Sequence, residues 1–305
     1  MPGKSEQICS QTCGTHEIYC CGSRVRVSPT GVSALTEPVV KYCPLHESLY
    51  GTKNISAGAV KKSVERKIAG YGFCCRNRRF DADPMVAYGA SEMMSVWLDK
   101  GLIDCAVVVC EGAGTVITTN SKLVQGIGAR LTGIIRTSPI QEVVEKIKQN
   151  GDVVLDEASA RIDQVEGVKR AFAMGFRRVA VTVASFHAKA ISQIRNLQDV
   201  AKTEVAIFSV CNTLAKEGDV KQIAKADIAC ASASTILRKE IGSKALLQLG
   251  MTIPVYALTQ RGKELVLAYL AAFKSRLVVF RTSKLPYHAR GKGPKLKNSS
   301  HGQKA

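Results

Sequence analysis

From Leu102 to Phe273 the chain alternates strand-length apolar runs with helix-length segments, a rhythm that few folds accommodate. The runs fall at 103–110, 131–136, 178–184, 204–210, 227–231 and 253–258. The first, Ile103-Asp104-Cys105-Ala106-Val107-Val108-Val109-Cys110, is apolar almost throughout, as suits a strand covered on both faces. Helical patterns at 139–149, 157–175, 187–199, 217–225, 233–248 and 261–273 separate or follow the runs. Strands joined through helices pair in parallel, with right-handed crossovers. The prediction is an α/β fold with a mainly parallel, Rossmann-like sheet and helices on both faces.

The first 100 residues have a different character. Arg24-Val25-Arg26-Val27 alternates polar with apolar, and Pro29-Thr30-Gly31 gives a turn signal, so a short hairpin is expected. Ser56 can cap a helix over 57–69, and a second helix over 84–100 stops at Gly101. This region has too little apolar periodicity for a large core of its own and must dock on the sheet. At the other end, Lys274 to Ala305 holds nine Lys or Arg and no acid, half of the net charge of +18. Being rich in Gly, Ser, Pro and Asn as well, it reads as a mobile tail. The expected division is a cysteine-rich region at 1–100, a parallel α/β domain at 101–275 and a basic tail at 276–305. No apolar run approaches the ~18 residues of a membrane span. Met1 to Gln7 has no apolar segment of the signal-peptide kind, so a cytoplasmic protein is expected.

Two glycine pairs are candidate ligand-binding turns. Glu111-Gly112-Ala113-Gly114-Thr115 follows the first strand, where open α/β sheets bind ligands and glycine lets backbone N–H groups approach an anion. Gly126-Ile127-Gly128 is the second candidate. Ile117 and Leu131 stand where a dinucleotide fingerprint needs its third glycine, and no Gly-Lys-Ser/Thr completes a Walker loop. Gly112, Gly114, Thr115, Gly126 and Gly128 are the candidate cofactor contacts. Glu111, Asp163 and Glu166 are the candidate catalytic carboxylates. Asp163 and Glu166 share a helical face at i, i+3, as an acid–base pair, a hard-metal site or a capped, solvated helix start.

The chain has eleven cysteines, seven of them among the first 75 residues. An odd count in a reducing compartment argues against a disulfide framework and for soft-metal ligation. Cys9, Cys13, His16 and Cys20 have zinc-like spacing. The sharper candidate joins Cys43, one of Cys74 and Cys75, and Cys110, because Cys43-Pro44 resembles a cluster-ligating loop and Cys110 ends its strand at the carboxyl edge. An iron–sulfur cluster is the expected cofactor, with zinc as the alternative. Cys105 and Cys110, five residues apart, must face opposite sides of one strand.

Tyr42-Cys43-Pro44-Leu45, the run Ile103 to Ile117, Leu123 to Arg130, Ile162 to Val168 and Ala245 to Gly250 occur in an order that resembles the methanogenesis marker protein 8 family. The likeness covers roughly 37–270 and excludes the first 25 residues and the basic tail. The doubled Cys20-Cys21 and Cys74-Cys75 depart from the family's pattern. The resemblance implies an accessory protein of anaerobic methane metabolism whose partners are other proteins of that metabolism, and it supplies no catalytic residues. Together with the thiols it gives the leading expectation, a metal- or cluster-binding accessory protein. The alternatives are a small-molecule or nucleotide-binding enzyme using the Gly-rich turn, and a scaffold docking through its basic tail. Neither membrane association nor dedicated nucleic-acid binding is expected.

Overall fold

The computed structural model describes residues 12–149, 151–289 and 291–297. The N-terminal part supplies β1 (His16–Cys20), β2 (Ser23–Ser28), β3 (Gly31–Ala34) and β4 (Val40–Tyr42), then α1 (Pro44–Tyr50), α2 (Ala57–Tyr71) and α3 (Ala90–Asp99). Next come β5 (Cys105–Cys110), β6 (Gly114–Thr118), α4 (Ser121–Gly128), β7 (Gly133–Thr137), α5 (Gln141–Lys148), β8 (Val153–Val154) and α6 (Gln164–Ala173). The chain continues through β9 (Arg178–Ala184), α7 (Lys189–Ala201), β10 (Glu204–Val210), α8 (Glu217–Ile223) and β11 (Ile228–Cys230). It closes with β12 (Leu247–Leu249), β13 (Val255–Ala257), α9 (Gln260–Leu270) and β14 (Lys295–Leu296).

The main sheet has the order β12-β13-β11-β10-β9-β5-β6-β8. Its centre, β5, β9, β10 and β11, is parallel, while β6, β8, β13 and β12 are antiparallel to their neighbours. The sheet is therefore mixed, and the expectation of a mainly parallel Rossmann-like sheet holds only for this centre. Each parallel strand lies on the same side of the one before it. Right-handed crossovers moving in one direction put their helices on one face, and α6, α7 and α8 all pack there on Val107, Val181 and Ile207. The other face is covered by α3, α4, α5 and α9, with Met93, Trp97, Val143 and Leu265 against Val108 and Phe208. Cys105 and Cys110 do face opposite sides.

Three differences from the sequence reading matter for function. The turn after β5 leads into an antiparallel hairpin with β6, pairing Cys110 with Gly114, rather than into a crossover helix. The run at 131–136 becomes β7, which leaves the main sheet to pair with β1 in a second sheet of order β3-β2-β1-β7. The segment expected to be a mobile tail has fixed partners over its described part. Lys295 and Leu296 pair with β4, Lys297 N donates to Val39 O, and Tyr287 N donates to Gln248 Oε1. Ser56 does cap α2, accepting from Ala59 N, though the helix runs on to a left-handed Gly72. Among the described residues no helix is long and apolar enough to cross a membrane.

Candidate functional site

A cavity of about 700 Å³ lies where the parallel strands end. Val109 of β5 and Glu111 just after it, Thr182 and Ala184 of β9, Phe208 and Val210 of β10, and Cys230 of β11 line it. That is the carboxyl edge, where the open ends of parallel strands leave a crevice. The N-terminal sheet forms the opposite wall through Tyr19, Cys21, Gly133 and Ile134. The departure of β7 to pair with β1 thus gives the open edge a second wall.

The β1–β2 turn is fitted to this wall. Cys21 and Gly22 both have positive φ, +51° and +74°. Such a two-residue hairpin turn ordinarily takes Asn-Gly, so a cysteine at its first position is a strained choice. Gly22 is required because a Cβ there would run into Val39. The strain presents Cys21 to the cavity, beside Cys43, Cys211 and Cys230, which line it too. Cys20, next to them, is pulled down to about 6, chiefly by its hydrogen bond with the Cys21 thiol, with Lys67 and Ser63 contributing. The same hydrogen bond, and then burial, push Cys21 up.

A second corner is closed by an ion pair. Arg78 and Glu111 are both within 1% of complete burial. The Arg78 guanidinium donates to Glu111 Oε1, to Arg79 O and to Gly126 O. Cys110 Sγ donates to Glu111 O at 3.2 Å, and Cys74 is sealed nearby. Burial, then the Glu111 charge, push both thiols well above their usual value. His16 ties the N-terminal sheet to this corner. Its Nε2 lies 2.6 Å from Cys13 O and must donate there, so Nδ1 accepts from Thr137 Oγ1 at 2.6 Å. Thr137 Oγ1 in turn accepts from Gly112 N at 2.7 Å.

A third corner holds an unpaired cation. Arg130, just past α4, is 3% exposed and lines the cavity. None of its side-chain nitrogens has a hydrogen-bond acceptor. Its Cζ stands 3.5 Å from the centre of the Tyr71 ring, and burial followed by the nearby Arg78 charge pulls its pKa down. Leu131, the next residue, is left-handed at φ +53°, an uncommon conformation for a branched apolar residue. Thr132 Oγ1 donates to Arg130 O and accepts from the buried ammonium of Lys67 at 2.9 Å.

The sequence-derived candidates fall in different places. Glu111 lines the cavity but is neutralised by Arg78. Asp163 caps α6 by accepting from Glu166 N, and Glu166 pairs with Lys169 at the surface, which is the capped-helix alternative. Of the glycine set, Gly128 lines the cavity. Gly112 packs on Ile140, Gly114 on the Ala160 carbonyl and Gly126 on the Phe80 carbonyl, while Thr115 Oγ1 accepts from Asp163 N. These positions serve close packing of chain on chain.

The proposed cluster thiols are not brought to one group. Cys43 stands with Cys20, Cys21 and Cys230, Cys74 with Cys110, and Cys75 is disulfide-bonded. Among the described residues no three His, Cys, Asp or Glu side chains are grouped as metal ligands would be. As arranged, Cys43, Cys74, Cys75 and Cys110 do not fit a shared cluster. Cys9 of the zinc-like set lies outside the described residues. Arg130 and Lys67 escaped the sequence reading, in which Cys211 and Cys230 pass for core thiols. The Arg130 signal was a lone cation closing Gly126-Ile127-Gly128-Ala129, overlooked in favour of the glycines beside it.

Fold and site define an α/β protein with a largely apolar cavity at the carboxyl edge of its parallel strands. The chain belongs to the family described as an uncharacterized protein conserved in archaea (DUF2099), whose model matches residues 16–271. It is 38% identical over 247 residues to an uncharacterized protein of Methanocaldococcus jannaschii, covering 80% of this chain and 86% of that one. The match spans both walls of the cavity and stops short of the basic tail.

Proposed function

We propose that the protein binds a small molecule in the carboxyl-edge cavity and serves as an accessory protein of anaerobic one-carbon, methane-producing metabolism. The observation that carries the binding reading is the cavity itself, of a size ordinary for small-molecule sites and lined by both sheets. The metabolic setting is supported by the resemblance to the methanogenesis marker protein 8 family and by the methanogen relative. Protein purified anaerobically, denatured and analysed by mass spectrometry should release one non-protein molecule in near-stoichiometric amount. Thr182→Phe, which places a ring in the cavity from β9, should lose it while keeping the wild-type circular dichroism. Equal release by the variant would place the molecule elsewhere.

A further inference from the structure

We propose that the ligand carries an oxyanion head, carboxylate or phosphate, held by Arg130, on an apolar body that occupies the rest of the cavity. This rests on the cavity reading above and specifies what the cavity takes.

The argument is a charge inventory. Three side chains that line the cavity bear full charges: Glu92, Glu111 and Arg130. Glu111 is neutralised by Arg78. Glu92 accepts from Met85 N, Val86 N, Ser91 Oγ and Gln125 Nε2, so its lone pairs are engaged by protein. Arg130 alone has no acceptor, and a guanidinium offers five donors and cannot shed its charge. Removing such a group from water without a partner is costly, and one partner that relieves the cost is an anion arriving from the cavity. The Tyr71 ring lies against the cation, its centre 3.5 Å from Cζ, and supplies no counter-charge.

The same corner holds a second cation. The Lys67 ammonium is buried against the Thr132 hydroxyl, and among the described residues neither Lys67 nor Arg130 has a carboxylate within ion-pair distance. The planar fork of Arg130 matches the paired oxygens of a carboxylate or phosphate. Away from this corner the walls are apolar: Phe73, Ile127, Ile134, Phe186 and Phe208. A polar head without a body would leave them bare, and an apolar body without a charge would leave Arg130 unsatisfied.

Isothermal titration of the full chain tests this with hexanoate and phenyl phosphate against their neutral counterparts, 1-hexanol and benzyl alcohol. At least one anion should bind wild type tenfold or more tightly than its neutral counterpart. Arg130→Leu should remove that preference and leave binding of the alcohol unchanged, while Arg130→Lys keeps part of it. The choice between hexanoate and phenyl phosphate identifies the head. Because Arg130 has no protein acceptor and loses only its contact with the Tyr71 ring, Arg130→Leu should melt close to wild type. A fall of several degrees in both Arg130→Leu and Arg130→Gln would show a structural role and overturn the proposal. Equal binding of anions and alcohols by wild type would overturn the anion head while leaving the cavity reading intact. Absence of binding by all four probes would count against both.

Discussion

Two guanidiniums flank the last turn of α4, and their surroundings are opposite. Arg78 donates to a buried carboxylate and to two carbonyls, one of them Gly126 O within α4. Arg130 lies two residues past that helix, is buried nearly as deeply, and has no acceptor. The first is a cross-link: it ties the loop after α2 to the β5–β6 turn and to α4, and its donors are spent inside the protein. The second lies against an aromatic ring in the cavity wall. Burial of charge therefore does not by itself mark a functional group. What separates the two is whether the protein supplies the counter-charge.

The largest expected effect tests this contrast directly. Arg78→Met or Glu111→Gln leaves an unmatched group in the sealed corner and should cost about 3–5 kcal/mol of stability in chemical denaturation. Arg130→Leu should change it by less than ~1 kcal/mol, since no protein hydrogen bond is lost. Equal losses at the two arginines would erase the distinction. A middle-sized effect concerns the helix between them. A Cβ on Gly126 would meet the Phe80 carbonyl, so Gly126→Ala should destabilise by about 1–3 kcal/mol through overpacking. Unchanged stability there would mean that the Arg78 corner is slack.

The smallest effect sharpens the comparison from outside the cavity. His46, in α1, is also buried with neither ring nitrogen hydrogen-bonded, yet it does not line the cavity. Burial, then the charges of Lys67 and Arg66, pull its pKa from 6.5 to about 4. A folded-state value below the unfolded one means that the contribution is complete above 6.5 and is lost as pH falls toward 4. Between pH 7 and pH 5 wild type should lose at most about 2 kcal/mol more than His46→Phe, read as the difference between their denaturation midpoints. Equal acid sensitivity would show that the ring is not held neutral. His46 is thus an unpartnered group whose consequence is proton sensitivity rather than binding.

Much of the secondary structure was legible locally. The runs at 178–184 and 204–210 became β9 and β10 with the expected bounds, because strands covered on both faces are apolar without interruption. The hairpin around Pro29 and the Ser56 cap follow from neighbouring residues and were equally readable. The stretch 233–248 was misread as one helix. It contains a π-helical turn at Leu237–Ile241, a 3-10 turn and then β12, and its apolar residues satisfy either period. Of the candidate site, Cys43, Glu111 and Gly128 do line the cavity, whereas Gly112 packs on the Ile140 side chain and Gly114 and Gly126 pack against backbone.

By itself the sequence determined an α/β chain with a parallel centre, a thiol-rich first part and a charged end, because periodicity and composition act over neighbouring residues. Tertiary structure decided which sheet each strand joined. The Ile134-Ile135 run carries no mark that sends β7 to β1 rather than to β5, since backbone hydrogen bonding is the same in either place. It decided too that the tail returns to β4, which depends on a sheet edge more than 250 residues away in sequence. Above all it decided the fate of the charges. Arg78 and Arg130 are one residue type, and only the arrival of Glu111 beside the first, and of no acceptor beside the second, makes one a brace and leaves the other unmatched in the cavity wall.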